Sequence, residues 1–142
     1  ATGPLPSDDT VTITRSGATA TVAHTAHGMA SSTKIQIKGA DQQEYNGVFT
    51  ITVVDANSYT YTVSGTPATP ATGTIKATAV IIDGLTNASG VVSDTRTYAS
   101  DQSITGRVRK STTGTLYKTG SISGTISSTA GFAATVQLIR DT

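Results

Sequence analysis

The side chains best suited to chemistry are two histidines, His24 and His27, in the segment His24-Thr25-Ala26-His27-Gly28. An imidazole can shuttle protons near neutral pH or ligate a metal. A zinc site of the usual kind needs further His or Cys ligands, and the chain has no third His and no Cys. The segment directly follows an alternating apolar run, so the expectation is a strand end and turn whose imidazoles hydrogen-bond locally. Serine is abundant, yet no Gly-x-Ser-x-Gly elbow in a strand-then-helix setting accompanies it.

The carboxylates offer little more. Glu44 is the only Glu, which excludes a paired-Glu glycosidase, and Asp83, Asp94 and Asp101 fall near turn signals. Asp83-Gly84-Leu85-Thr86-Asn87-Ala88-Ser89-Gly90 carries oxygen ligands but lacks the closing bidentate Glu of an EF-hand loop, so it reads as an inter-strand turn. The glycines punctuate hairpins, and no helix start follows them to build a phosphate cradle. Arg107 and Arg109 alternate with Val108 on one strand face, with Lys110 next and Lys118 further on. With a net charge of +1, this modest basic stripe predicts a solvated face or a contact to an acidic partner, and no direct nucleic-acid binding. No catalytic, cofactor-binding or metal-ligating residues are therefore assigned, and the chain is expected not to be an enzyme.

The elements that must position these residues are strands. Of 142 residues, 29 are Thr and 15 are Ser, while only 13% are charged. Low net charge with many β-branched residues argues for a folded β protein rather than disorder. The longest apolar run, Ala79 to Ile82, is far short of the roughly 20 residues of a spanning helix, so no membrane association is expected. Residues Ala1 to Asp9 lack the basic start and apolar stretch of a signal peptide.

Period-2 alternation recurs throughout, and no window carries a helical stripe, so essentially no helix is predicted. Val11 and Ile13, a Ser16-Gly17 turn, then Ala18, Ala20 and Val22 make a first hairpin. Ile35 and Ile37 alternate with Lys34, Gln36 and Lys38. Phe49, Ile51 and Val53 share a face, Asp55-Ala56-Asn57 turns, and Tyr59, Tyr61 and Val63 return core-facing. Asn46-Gly47 favours a tight turn, with Tyr45 and Phe49 clamping it against the sheet. Pro67 and Pro70 mark a loop, and alternation resumes from Thr74 to Ile82. Beyond the turn at 87–90, strands are expected over Val91–Tyr98, Ile104–Lys110, Thr115–Lys118, Ser121–Ile126 and Phe132–Ile139.

The fold class is thus all-β: two small antiparallel domains, barrel-like or sandwich-like, joined by a short or continuous-strand connection. Residues 1–9 form an extended N-terminal arm, frayed or laid over a neighbour; 10–78 form an N-terminal β module, and 79–142 a small C-terminal sandwich. Halves this small are marginal alone, which points to oligomerisation.

Three segments carry a resemblance: Ala23-His24-Thr25-Ala26-His27-Gly28, then Ile37 to Phe49 (IKGADQQEYNGVF), then Val54 to Val63 (VDANSYTYTV). Over Val11 to Ala77 the chain resembles the small β module of tailed-bacteriophage structural proteins that is catalogued as a ubiquitin-activating-enzyme half-domain. The stretch Asp83 to Thr142 resembles a short C-terminal β domain that often follows this module in phage genomes, through Asp101 to Ser111, Ser123 to Thr129 and Val136 to Asp141. Ubiquitin activation needs a catalytic Cys, which is absent, so the resemblance implies a shared β shape without thioester chemistry. It implies a non-enzymatic virion structural protein; the small size, the marginal domains and the extended arm place it first as a capsid decoration protein present in many copies, otherwise as a tail or neck component. The implied partners are the major capsid protein or other virion structural proteins and further copies of the chain, on the particle surface. A different class, a receptor- or glycan-binding module, would need exposed aromatic platforms, for which Tyr45, Tyr98 and Tyr117 are the candidates.

Overall fold

The computed structural model describes residues 5–82, 85, 88–89, 91–92, 102–108 and 119–127. Its contacts divide the chain into one unit comprising Gly3–Arg96 and another comprising Thr97–Thr142. The protein is all-β and antiparallel, and the one helical element among the described residues is a single 3-10 turn, Gln43–Tyr45. Among the described residues no helix is long and apolar enough to cross a membrane.

The first unit contains β1 (Asp9–Thr10), β2 (Thr12–Ser16), β3 (Thr19–Ala23), β4 (Lys34–Ala40), β5 (Gly47–Thr50), β6 (Thr52–Asp55), β7 (Ser58–Thr62) and β8 (Gly73–Val80). They form two four-stranded sheets, ordered β1-β8-β4-β5 and β2-β3-β7-β6. At each sheet's edges the chain passes directly into the other sheet. One residue, Val11, separates β1 from β2, and one residue, Ile51, separates β5 from β6. Both are buried, with backbone bonds from Val11 N–H to Ile75 O and from Ile51 N–H to Thr33 O. The two sheets are therefore one flattened closed barrel, in which two bent strands each serve both faces. Closure of this kind leaves few unpaired edges.

Alternation places the core between the sheets. Ile13, Ala20, Val22, Ile35, Ile37, Tyr59, Tyr61 and Ile75 point inward, while Thr12, Thr14, Thr19, Thr21, Thr52 and Thr62 face water. The hairpin β2–β3 turns at Gly17-Ala18, one residue later than the Ser16-Gly17 expected, and β6–β7 turns at Ala56-Asn57.

The Asn46-Gly47 pair does not make a tight hairpin turn. Asn46 is extended, and its side chain folds back to accept from the Ala40 N–H at 3.0 Å and donate to the Ala40 carbonyl at 2.8 Å. An amide that bridges both backbone groups of one residue substitutes for a ladder pair, so the six-residue connection closes through a side chain. Phe49 stacks on Tyr61, ring centroids 4.2 Å apart, and Tyr45 is buried in the same core with its hydroxyl donating to Ala68 O and its carbonyl accepting from the Tyr61 hydroxyl.

Where β4 and β8 cross near their ends, the register shifts between Lys38 and Ala40. Gly39 and Gly73 sit there with φ of +86° and +108°, and a Cβ on Gly39 would lie 2.0 Å from Thr74 O. The expected domain boundary at 78/79 falls inside β8. The described part of the expected arm runs along its own barrel: Pro6 is buried, its carbonyl accepts from Ala79 N–H, and Asp9, with Thr10 after it, pairs with β8 opposite Ala77 and Lys76.

In the second unit, β9 (Gln102–Val108) and β10 (Gly120–Ile126) form an antiparallel pair with Arg107 opposite Ser121 and Thr105 opposite Ser123. They overlap the expected strands Ile104–Lys110 and Ser121–Ile126, with β9 starting two residues earlier and β10 one residue earlier. The others, Val91–Tyr98, Thr115–Lys118 and Phe132–Ile139, lie wholly or mostly outside the described residues.

Candidate functional site

The two histidines sit where β3 runs out. Alternation through Ala20 and Val22 carries on to His24, so its ring points into the barrel and is 4% exposed. His27 is 2% exposed, after a turn in which Ala26 takes φ of +52°.

Residues 24–27 clasp the β6–β7 turn. The His24 N–H donates to Asn57 O, the His27 N–H to Ala56 O, and the Ala26 N–H to the Asn57 side-chain oxygen. Asp55 in turn accepts from the Asn57 N–H at 2.7 Å, and with Ser58 this holds its carboxyl below the usual carboxylate range.

Each imidazole nitrogen has a partner. His27 Nδ1 accepts from the Met29 N–H at 3.0 Å, which leaves the proton on Nε2 to donate to Asp55 O at 2.9 Å. These two bonds select the tautomer of His27 with its proton on Nε2. His24 lies between the Tyr59 hydroxyl, 3.1 Å from Nδ1, and Asp9 Oδ2, 3.1 Å from Nε2. A carboxylate can only accept, so Nε2 carries a proton, and in the neutral ring Nδ1 accepts from Tyr59. Burial of Tyr59, helped by Tyr61 and Asp9, pushes its hydroxyl well above the ordinary tyrosine value, so it remains a donor. The Tyr59 ring also meets His27 edge-on at 5.1 Å.

The order Asp9–His24–Tyr59 has the connectivity of a hydrolytic triad, but its terminal hydroxyl belongs to a fully buried ring. A nucleophile must reach a substrate; this one braces β1, β3 and β7. The exposed end is Asp9, whose side chain is half accessible at the rim of an open depression of about 570 Å³ that includes Thr10, Thr12, Thr25 and Asn57. Among the described residues no three His, Cys, Asp or Glu side chains gather as a metal site.

Glu44 is exposed in the 3-10 turn, and Arg107 is exposed on β9. Arg109, Lys110, Lys118, Asp83, Asp94, Asp101, Tyr98 and Tyr117 lie outside the described residues. Tyr45 is fully buried and offers no platform to a sugar. Sequence reasoning did not find Asp9, Tyr59 and Asp55 as histidine partners; the inward parity of His24 and Tyr59 was the one signal available. No protein-family model, curated protein or solved structure matches the chain.

Proposed function

We propose that the protein is a non-enzymatic structural component of a tailed-phage virion, a decoration protein bound in many copies to the capsid surface. The observation that carries this reading is the inward direction of the site's chemistry: both imidazoles and the Tyr59 hydroxyl are spent on bracing strands. The three segments that carry the resemblance are the clasp, the β4–β5 connection with its Asn46 anchor, and the β6–β7 hairpin. All three are fold-making, as suits a module that acts through its shape. The burial of Tyr45 weighs against the glycan-binding alternative, and a tail or neck position remains the alternative within the same class.

Quantitative mass spectrometry of purified particles tests the proposal. Hundreds of copies per particle are expected. Rings or spikes with on the order of six to twelve copies would move the protein to the neck or tail, and its absence from particles would overturn the virion reading.

A further inference from the structure

Residues 5–10 form a strap along the outer edge of β8. Its backbone makes ladder bonds over Asp9 and Thr10, the Pro6 carbonyl accepts from Ala79 N–H, and the Asp8 N–H donates to the Thr78 hydroxyl. Little apolar surface holds it. Pro6 is buried and Leu5 partly so, whereas Ser7, Asp8, Asp9 and Thr10 are exposed.

The remaining grip is polar. Asp8 pairs with Lys38 at 2.7 Å, both side chains more than half exposed, Lys76 Nζ donates to the Thr10 hydroxyl at 2.7 Å, and Asp9 meets His24. The Asp8–Lys38 pair, exposed on both sides, contributes little, and the Asp9–His24 contact, with His24 buried, is the firmer of the two. Segments with few buried apolar contacts open at low free energy.

When the strap lifts, β8 presents an unpaired edge, and an unpaired edge recruits another strand. Val11 is the joint: on one side of it the chain belongs to the strap's sheet, on the other to β2. A segment joined at one residue can dock on a neighbour with every bond it made at home, so exchange conserves the contacts and costs mainly association entropy. The edge and the strap are complementary in register and charge because they already pair within one chain.

We propose that copies of this protein exchange residues 5–10, so that the strap of one copy pairs with β8 of a second. This inference rests on the assembly reading above and names the contact between copies.

The unmodified protein permits a direct test. Equal amounts of light and nitrogen-15-labelled chain are unfolded together, refolded at high concentration, and treated with a zero-length carbodiimide. This reagent joins a carboxylate to an amine only when they touch, as Asp8 and Lys38 do. Mass spectrometry of the Asp8–Lys38 linked peptides then reads their isotope content. Complete exchange gives mixed light–heavy pairs as about half of all such links, the statistical value for random two-fold pairing. Links containing only one isotope overturn the inference. The assay uses purified chain alone, so mixed pairs support exchange even if the protein proves absent from particles, and same-isotope links refute it even where hundreds of copies are counted.

Discussion

The crossing of Gly39 and Gly73 makes a sharp prediction, because Gly17 supplies a matched control. Gly39 and Gly17 both have positive φ, +86° and +58°, so an alanine at either is strained by the left-handed backbone. That strain is worth about 1 kcal/mol. At Gly17 the added methyl meets nothing within 4 Å, and the cost should end there. At Gly39 it would lie 2.0 Å from Thr74 O, and ordinary contact begins at 3.4 Å, so the strands must part by about 3.4 − 2.0 = 1.4 Å. The movement loosens the bonds flanking the bulge, including the Asp41 N–H to Thr72 O bond at 2.8 Å. At about 1 kcal/mol for each of two bonds, the total for Gly39→Ala comes to about 3 kcal/mol. Urea unfolding of the two variants beside the parent measures both values. A Gly39→Ala cost no larger than that of Gly17→Ala would refute the crossing, since the left-handed strain is common to both.

The anchor at Asn46 should be worth about 2 kcal/mol, because Asn46→Ala removes two hydrogen bonds to Ala40, a buried residue, and leaves its backbone groups short of partners; chemical denaturation that finds no loss would discount the side-chain closure of β4 onto β5. Tyr59 and Tyr61 both have hydroxyls raised above the ordinary value of 10.0, chiefly by burial. A raised folded value means that their contribution is fully present below about pH 10 and is lost as pH climbs toward the folded value. The urea midpoint should thus fall above about pH 10, with part of the tyrosinate absorbance developing only as the chain unfolds; full tyrosinate absorbance near pH 10 with the fold intact would contradict this.

Period-2 parity is a local property of the chain, and what was legible in the sequence is what parity and turn chemistry determine. Val22 and His24 share a parity, as do Tyr59, Tyr61 and Val63, and all five are buried. The turn at 55–57 was readable because Asp55 and Asn57 hold the backbone within two residues of themselves. Parity survives a bend, however. Val11 continues the alternation of Ile13, and Ile51 that of Phe49 and Val53, across the points where each strand changes sheets. A bent strand and a straight one therefore have the same pattern, and a closed barrel was indistinguishable from a sandwich.

Two of the differences from expectation have related causes. Residues 1–9 look like an extended arm because Pro4, Pro6, Asp8 and Asp9 are poor strand formers, yet the described part, residues 5–9, is joined to β8 through its backbone, and backbone hydrogen bonds leave no trace in composition. Asn46-Gly47 has the residue types of a tight turn, but Asn is also the side chain best able to donate and accept at once, and here that capacity decides the geometry. The histidine corner lies furthest from sequence reach. His24 finds Tyr59 across 35 residues and Asp9 across 15, and one of those partners belongs to the strap. A site whose members meet only when the barrel closes cannot be assembled from spacing.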